Sequence, residues 1–274
     1  MKYNFWTGDD KIYHPSNEHF HLHIHDDYEI FLFLEGDSKY IVEENTYTLE
    51  PGDIIIIRKN LMHRIYHNSS RKNYRRIVIN VKPGFFSENG CEEYEKEFIN
   101  PAGNAGHKID AKTVRSSGLF DAIMRLKKYS DNFRDKDSAV VRAMLVEVLY
   151  IINNISSYSQ ADETDSRLKE IIKYINTGFT NEITLDELEK RFFISKYHLC
   201  RIFNRATGLT VHKYITDKRL TYATDLMKNG DSAVQASETA GFSNYSSFYR
   251  AYVKKYGCGP RNEKNILKNK KEVV

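Results

Sequence analysis

The chain has 274 residues, 41 of them Lys or Arg and 37 Asp or Glu, with 13 % aromatic residues and a formal net charge of +4. Roughly 150 residues per domain makes this one large domain or two ordinary ones, and 41 % hydrophobic residues exclude a globally disordered chain. The longest aliphatic run, Ile54-Ile55-Ile56-Ile57, excludes a bilayer-spanning helix. The opening Met1-Lys2-Tyr3-Asn4-Phe5-Trp6 lacks the apolar stretch of a secretory signal. Cys91, Cys200 and Cys258 are spaced for neither a disulfide framework nor zinc. A cytoplasmic protein with no membrane partner and no cofactor is expected.

Residues 1–160 carry 21 basic and 23 acidic side chains, whereas residues 161–274 carry 20 and 14. A near-neutral front half therefore precedes a basic back half suited to a polyanion. From Phe20 to Val81 the pattern is that of short strands: Glu29–Leu34, Tyr40–Val42, Asp53–Ile57 and Arg76–Val81. Turn signals at Glu35-Gly36-Asp37, Glu44-Asn45 and Pro51-Gly52-Asp53 separate them, as in a sandwich or small barrel. After a loop around Asn100-Pro101-Ala102-Gly103-Asn104 the period lengthens. Leu119, Phe120, Ile123 and Leu126 mark one amphipathic helix, and Val140, Met144, Val148, Ile151, Ile152 and Ile155 a longer one. That second stripe suits either a subunit interface or a seam against the barrel. Polar residues 156–166 read as a linker.

His21, His23 and His25 alternate with Leu22 and Ile24, so on a strand the three imidazoles share one face. His63, beyond the Ile54–Ile57 strand, is in position to join them. Here the chain resembles the cupin barrel, whose first motif His-x-His-x3-Glu-x6-Gly is matched by His23, His25, Glu29 and Gly36. The resemblance implies two uses of His23, His25, Glu29 and His63: a divalent ion of iron, manganese or zinc type, or a metal-free ligand pocket that also includes His21. A structural role is the third reading. Lys59-Asn60-Leu61-Met62-His63 lacks the Pro and Gly of the second cupin motif, and a pocket without bound metal is the expectation.

In the back half, Leu168, Ile171, Ile172 and Ile175 make a helix stopped at Gly178. Thr184 and Glu187 form a capping-box pattern for a second helix. Ser195 then caps Lys196–Arg205, which ends near Gly208, giving a helix-turn-helix. The pattern recurs: Leu199-x-Arg201-x-Phe203-x4-Gly208 matches Phe248-x-Arg250-x-Tyr252-x4-Gly257. Residues 211–228 read as one connecting helix, roughly 27 Å long at ~1.5 Å per residue. That length suits recognition helices entering successive major grooves.

These residues resemble the DNA-binding domain of AraC/XylS-family transcriptional regulators. The resemblance rests on Ser195, His198-Leu199, Arg201, Phe203, Thr207-Gly208, Tyr214-Ile215, Arg219-Leu220, Gly241-Phe242-Ser243-Asn244, Phe248, Gly257 and Pro260. It implies a two-domain α+β protein. A cupin-like sensor spans 1–110, a helical connector or dimerisation segment 111–160, and an all-α tandem helix-turn-helix 165–270. It implies DNA contacts by Lys196, Tyr197, Cys200, Arg201 and Asn204 in the first copy, and by Tyr245, Ser246, Tyr249 and Arg250 in the second. Arg reads guanine or phosphate, whereas Lys196 at a helix start suits phosphate.

The partners implied are double-stranded operator DNA, a small-molecule effector (often a sugar in this family), a second copy of the chain, and RNA polymerase. Glu189, Ala233, Ala236, Ser237, Val253 and Glu263-Lys264 depart from the family pattern. The missing aliphatics predict a loosely packed second copy, with Arg201 the stronger reader. The basic tail Lys264–Lys271 is expected to add only diffuse charge. The rival reading is a metal-dependent cupin enzyme fused to a DNA-binding module, and a third is a regulator governed by a protein partner. The regulator, and no enzyme, is the reading the residues favour.

Overall fold

Strand periodicity sets the architecture of the first of two units, Met1–Thr164 and Asp165–Val274. The computed structural model describes residues 5–12, 14–17, 20–99, 107–132, 139–155, 159, 161 and 166–260. The Asn100–Asn104 loop, most of the 156–166 linker, Glu263-Lys264 and the Lys264–Lys271 tail lie outside the described residues.

The strands are β1 Phe5–Ile12, β2 Tyr28–Glu35, β3 Ser38–Val42, β4 Asn45–Thr48, β5 Ile54–Ile57, β6 His63–His67, β7 Tyr74–Val81 and β8 Lys108–Ile109. They form a five-stranded sheet, β1-β7-β2-β5-β8, and a three-stranded sheet, β4-β3-β6. All pairings are antiparallel. Side chains alternate along a strand, and both faces of the larger sheet are covered. Ile30, Leu32, Ile54, Ile56, Ile77 and Ile79 meet a layer of helices. Phe31, Phe33, Ile55, Ile57 and Val78 point inward at Tyr40, Val42, Tyr47 and Ile65 of the smaller sheet. β5 meets an apolar cluster on each face, which is why it reads Ile-Ile-Ile-Ile. This is the cupin-like barrel.

The helices outside it are α1 Gly84–Glu88, α2 Lys96–Ile99, α3 Ala111–Ser116, α4 Leu119–Asn132 and α5 Ala139–Asn153. Val141, Leu145, Val148, Leu149 and Ile152 of α5 are fully buried, packed with Leu119, Ile123 and Leu126 of α4 in the cluster that includes the sheet. α3, α4 and α5 thus lie within the first unit, packed on its sheet. The expected stripe is an intramolecular seam, because burying each such side chain contributes ~1.5–3 kcal/mol and the sheet face offers that area. Its first expected member, Val140, is instead 52 % exposed.

The second unit holds α6 Ser166–Gly178, α7 Leu185–Phe192, α8 Lys196–Thr207, α9 Val211–Lys228, α10 Ala233–Thr239 and α11 Tyr245–Tyr256. Thr184 caps α7 by accepting from Glu187 N. The Glu187 carboxylate, expected to complete a capping box, receives the Tyr174 hydroxyl instead. The reciprocal box forms at α10, between Ser232 and Gln235. Glu189 Oε1 accepts from the backbone N–H of Lys196 at 3.1 Å, so this departure from a small residue ties α7 to the start of α8. Leu199 and Phe203 anchor α8, and the Phe203 ring meets Tyr214 of α9 edge-on at 5.4 Å.

The second copy is not loosely packed. Ala236 and Ala240 are fully buried, and aromatic rings fill the space that larger aliphatics would take. Phe242–Phe248, Phe248–Tyr252 and Tyr252–Tyr256 stand 5.2, 5.4 and 4.5 Å apart. Small residues on α10 and large rings on α11 conserve core volume, the exchange that packing tolerates best. The loop after α6 joins the two copies. Arg219 of α9 donates to Phe179 O at 2.6 Å and Asn181 O at 2.7 Å. Gly241, at φ +88°, lies so close that an added Cβ would sit 2.1 Å from Thr180 O.

Candidate functional site

Residues 21–25 do not form a strand. His23 alone pairs with His63, through reciprocal backbone hydrogen bonds of 3.0 and 2.9 Å. That single bridge, with β2 and β6, brings four of the five expected residues together. Ligand atoms of His23, His25, Glu29 and His63 all lie within 4.8 Å of one another. His21 is exposed and stays outside the group, although it lines the same cavity.

Each imidazole is oriented by its Nδ1. His23 Nδ1 meets His21 O at 2.9 Å, His25 Nδ1 meets Asp27 O at 3.0 Å, and His63 Nδ1 meets Leu61 O at 2.8 Å. A carbonyl only accepts, so each Nδ1 carries a hydrogen and each Nε2 is the nitrogen turned toward the group. Glu29 accepts from the Tyr40 hydroxyl at 2.8 Å and from His25 Nε2 at 3.1 Å. His63 Nε2 stands 3.6 Å from Glu29 Oε2 and is buried with no hydrogen-bond partner among the described residues. Burial pushes the Glu29 carboxyl up, but His25 and His63 outweigh it and hold the pKa well below the ordinary range. Burial opposes charge on His25 too, yet Glu29 raises its pKa. His25 and Glu29 thus each favour the charged form of the other.

Three imidazole nitrogens and one carboxylate oxygen fit a divalent transition ion. The Nδ1-to-carbonyl bonds are the kind of outer contact that orients metal-ligating histidines. His23, His25, Glu29 and His63 would hold such an ion, which would supply a Lewis-acidic positive centre at the cavity wall.

The cavity measures about 320 Å³ and is lined by His21, His23, His25 and Glu29, though not by His63, together with Phe20, Phe31, Tyr40, Ile65, Arg76, Val78 and Asn80. β7 contributes three of these because Asn80, Val78 and Arg76 pair with Glu29, Phe31 and Phe33 of β2 and share their inward face. The Arg76 guanidinium lies 5.5 Å from the centroids of both Phe20 and Tyr74 and donates to the Tyr74 hydroxyl at 3.2 Å. Asn80 Oδ1 is buried with no hydrogen-bond partner among the described residues. Sequence reasoning missed Arg76 and Asn80, although the alternation Arg76-Ile77-Val78-Ile79-Asn80-Val81 carries the signal.

On the second unit, Tyr197, Cys200, Arg201 and Asn204 of α8 are exposed opposite the buried Leu199 and Phe203. Ser246, Tyr249 and Arg250 of α11 are exposed opposite Phe248 and Tyr252, with Tyr245 half-buried. Lys196 pairs with Asp186 of α7 at 2.6 Å. His198, to which sequence reasoning assigned no DNA contact, meets Arg201 Nη2 through its Nδ1 at 3.3 Å. Phe193, in the turn before α8, has φ +50° and is 89 % exposed.

A barrel with a polar cavity and, in the same chain, two helix-turn-helices with polar outer faces defines a small-molecule-responsive DNA-binding transcription regulator. The family model described as AraC-like ligand binding domain matches residues 12–150, and that of a helix-turn-helix domain matches 188–265. The chain belongs to the AraC family of transcriptional regulators. It is 23 % identical over 258 residues to the HTH-type transcriptional regulator YdiP of Escherichia coli, covering 90 % of this chain and 82 % of that protein. To the HTH-type transcriptional activator RhaS of Escherichia fergusonii it is 25 % identical over 241 residues, covering 87 % and 85 %. Among solved structures, ToxT from Vibrio cholerae aligns at 17 % identity and a TM-score of 0.39, over 97 % of this chain and 99 % of that one. No helix among the described residues is long and apolar enough to cross a membrane.

Proposed function

We propose that α8 and α11 read an operator in successive major grooves and that a small oxygen-rich molecule, of sugar type, enters the barrel cavity to control this binding. The observation that carries the reading is the repeat itself. Arg201 and Arg250 occupy the same position in the two copies, and both are exposed while their neighbours two residues on, Phe203 and Tyr252, are buried. Selection of operator fragments from genomic DNA, followed by fluorescence anisotropy, tests it. Arg201→Ala and Arg250→Ala should each lose ~1–3 kcal/mol for the selected site if a base is read. Lys196→Ala should weaken all sequences alike and flatten the salt dependence. Loss of neither specificity nor affinity in the Arg variants refutes the assignment.

A homodimer and a contact with RNA polymerase belong to the same reading. With Val148 buried, the surface left to a second copy is the outer side of α4 and α5, where Tyr129, Val140 and Tyr150 are exposed. The effector acts by binding two states of the chain unequally.

A further inference from the structure

Taking the operator reading above as its basis, we propose that Phe193 is a further base-reading residue, whose ring meets a thymine methyl group in the major groove at the half-site of α8, beside Tyr197. Three observations converge on it. Phe193 and Tyr197 are 89 % and 80 % exposed, the two most exposed large hydrophobic side chains among the described residues. They stand on either side of the recognition-helix cap, Phe193 two residues before Ser195 and Tyr197 two after it. Phe193 is also held in the left-handed conformation, at φ +50° and ψ +48°. A side chain is disfavoured there, and helix ends normally give the position to glycine.

The second copy shows what the turn itself requires. Its left-handed residue between the helices is Gly241, at φ +88°. Two positions before its buried anchor Phe248 stands Ser246, where the first copy has Tyr197 before Leu199. In the first copy the Phe193 backbone ends α7 by donating its N–H to Glu189 O, a task a glycine performs equally. The ring, almost wholly in water, adds strain and little packing, so its use lies outside the chain. Charge selects the occupant. Residues 190–205 carry Lys190, Arg191, Lys196, Arg201 and Arg205 and no acid, and the two rings lie within this stretch, continuous with the exposed Cys200, Arg201 and Asn204. Apolar side chains among cations suit a polyanion that also offers an apolar patch. Duplex DNA is such a partner, because the thymine C5 methyl projects into the major groove and is met by apolar side chains, Phe among them. Residues at the start of a recognition helix are the ones that reach base edges. With Gly241 and Ser246 in its place, the second copy has no counterpart, so this reading belongs to one half-site only.

The test uses the full chain and the selected operator fragment, with each thymine replaced in turn by deoxyuridine, which removes the methyl alone. Anisotropy at fixed salt is the readout, and the positions relaxed by Arg201→Ala and by Arg250→Ala tell the two half-sites apart. The unsubstituted chain should lose about fourfold in affinity, the worth of one buried methyl, at one thymine or two adjacent ones in the α8 half-site. Phe193→Gly should bind the thymine operator about fourfold more weakly and lose nothing further at those positions. It should unfold at a temperature no lower than the unsubstituted chain, since the strain leaves with the ring. Weaker binding by a chain at least as stable does not come from a damaged fold. Phe193→Tyr, which keeps the ring, should retain both the affinity and the methyl dependence. Full affinity in Phe193→Gly, a uracil penalty that survives the substitution, a lowered unfolding temperature, or altered sedimentation without altered DNA binding overturns the proposal. The Arg variants separate the two readings. If they lose the operator while Phe193→Gly does not, only the Phe193 assignment falls; if they bind it as tightly as the unsubstituted chain, both fall.

Discussion

Gly241→Ala isolates the contact that joins the two helix-turn-helix copies. Two penalties add at this position. The backbone stands at φ +88°, where an L side chain costs about 1–2 kcal/mol. The new Cβ would also fall 2.1 Å from Thr180 O and 2.7 Å from Thr180 C, both backbone atoms. Thr180 has little room to retreat, because the flanking carbonyls of Phe179 and Asn181 are both held by Arg219. Displacing packed backbone of this kind costs about 1–3 kcal/mol, so the expected loss is about 2–5 kcal/mol. Gly257→Ala is the control, since Gly257 also has positive φ, +74°, but nothing lies within 4 Å of an added Cβ. It should lose only the ~1–2 kcal/mol of strain. Urea unfolding of the full chain by circular dichroism at the helix minimum reads the difference. Equal losses in the two alanine variants would refute the reasoning, as they would mean that the Thr180 approach carries no energy.

Three further outcomes follow from packing and charge. With its core filled by rings, the second copy should hold its helix as firmly as the first, so Arg250→Ala should lose operator affinity within about twofold of Arg201→Ala. A much smaller loss in competition binding would restore the asymmetry the sequence suggested. Val148→Asp should unfold the first unit, because it places a charge in a fully buried seam. Tyr150→Glu, at a side chain 52 % exposed, should leave the fold intact and shift sedimentation toward monomer; a folded Val148→Asp chain would contradict the packing. Lastly, burial, followed by the charges of Arg76 and Arg64, lowers the His67 pKa from 6.5 to about 4. The unfolded chain therefore takes up a proton over that range that the folded chain refuses, and stability falls as pH drops from 6.5 to 4. His67→Gln should flatten this slope in thermal unfolding, and an unchanged slope would show that His67 titrates normally.

Long apolar periods were the most legible part of the sequence. β2, β5 and β7, the core of α4 and α5, and α6, α8 and α9 fall where hydrophobic spacing and caps put them. β1 escaped because Phe5-Trp6-Thr7-Gly8-Asp9-Asp10-Lys11-Ile12 has no apolar alternation; its pairing with β7 along all eight residues is a backbone property. The histidine group was legible by spacing, but its order was not. A bridge between His23 and His63, 40 positions apart, is a product of tertiary structure, and the carbonyls that orient the Nδ1 atoms, each two residues away, depend on an irregular backbone that no apolar period announces. Ala233 and Ala236 misled for the same reason, since a small residue signals a void only when its neighbours are unknown.

The two-sided burial of β2 places successive residues of one strand in different surroundings. Glu29 and Phe31 border the cavity, whereas Ile30 and Leu32, each one peptide away, lie in the cluster that holds α4 and α5. A strand has no slack along its length, so a guest that shifts Phe31 by a fraction of an ångström must tilt the adjoining peptide planes and carry Ile30 and Leu32 with them. The helical layer can thus register occupancy without any segment unfolding or any hinge opening, as a membrane between two chambers registers pressure. Substitutions at Ile30 or Leu32 that never touch the guest should then alter the response while leaving affinity nearly unchanged.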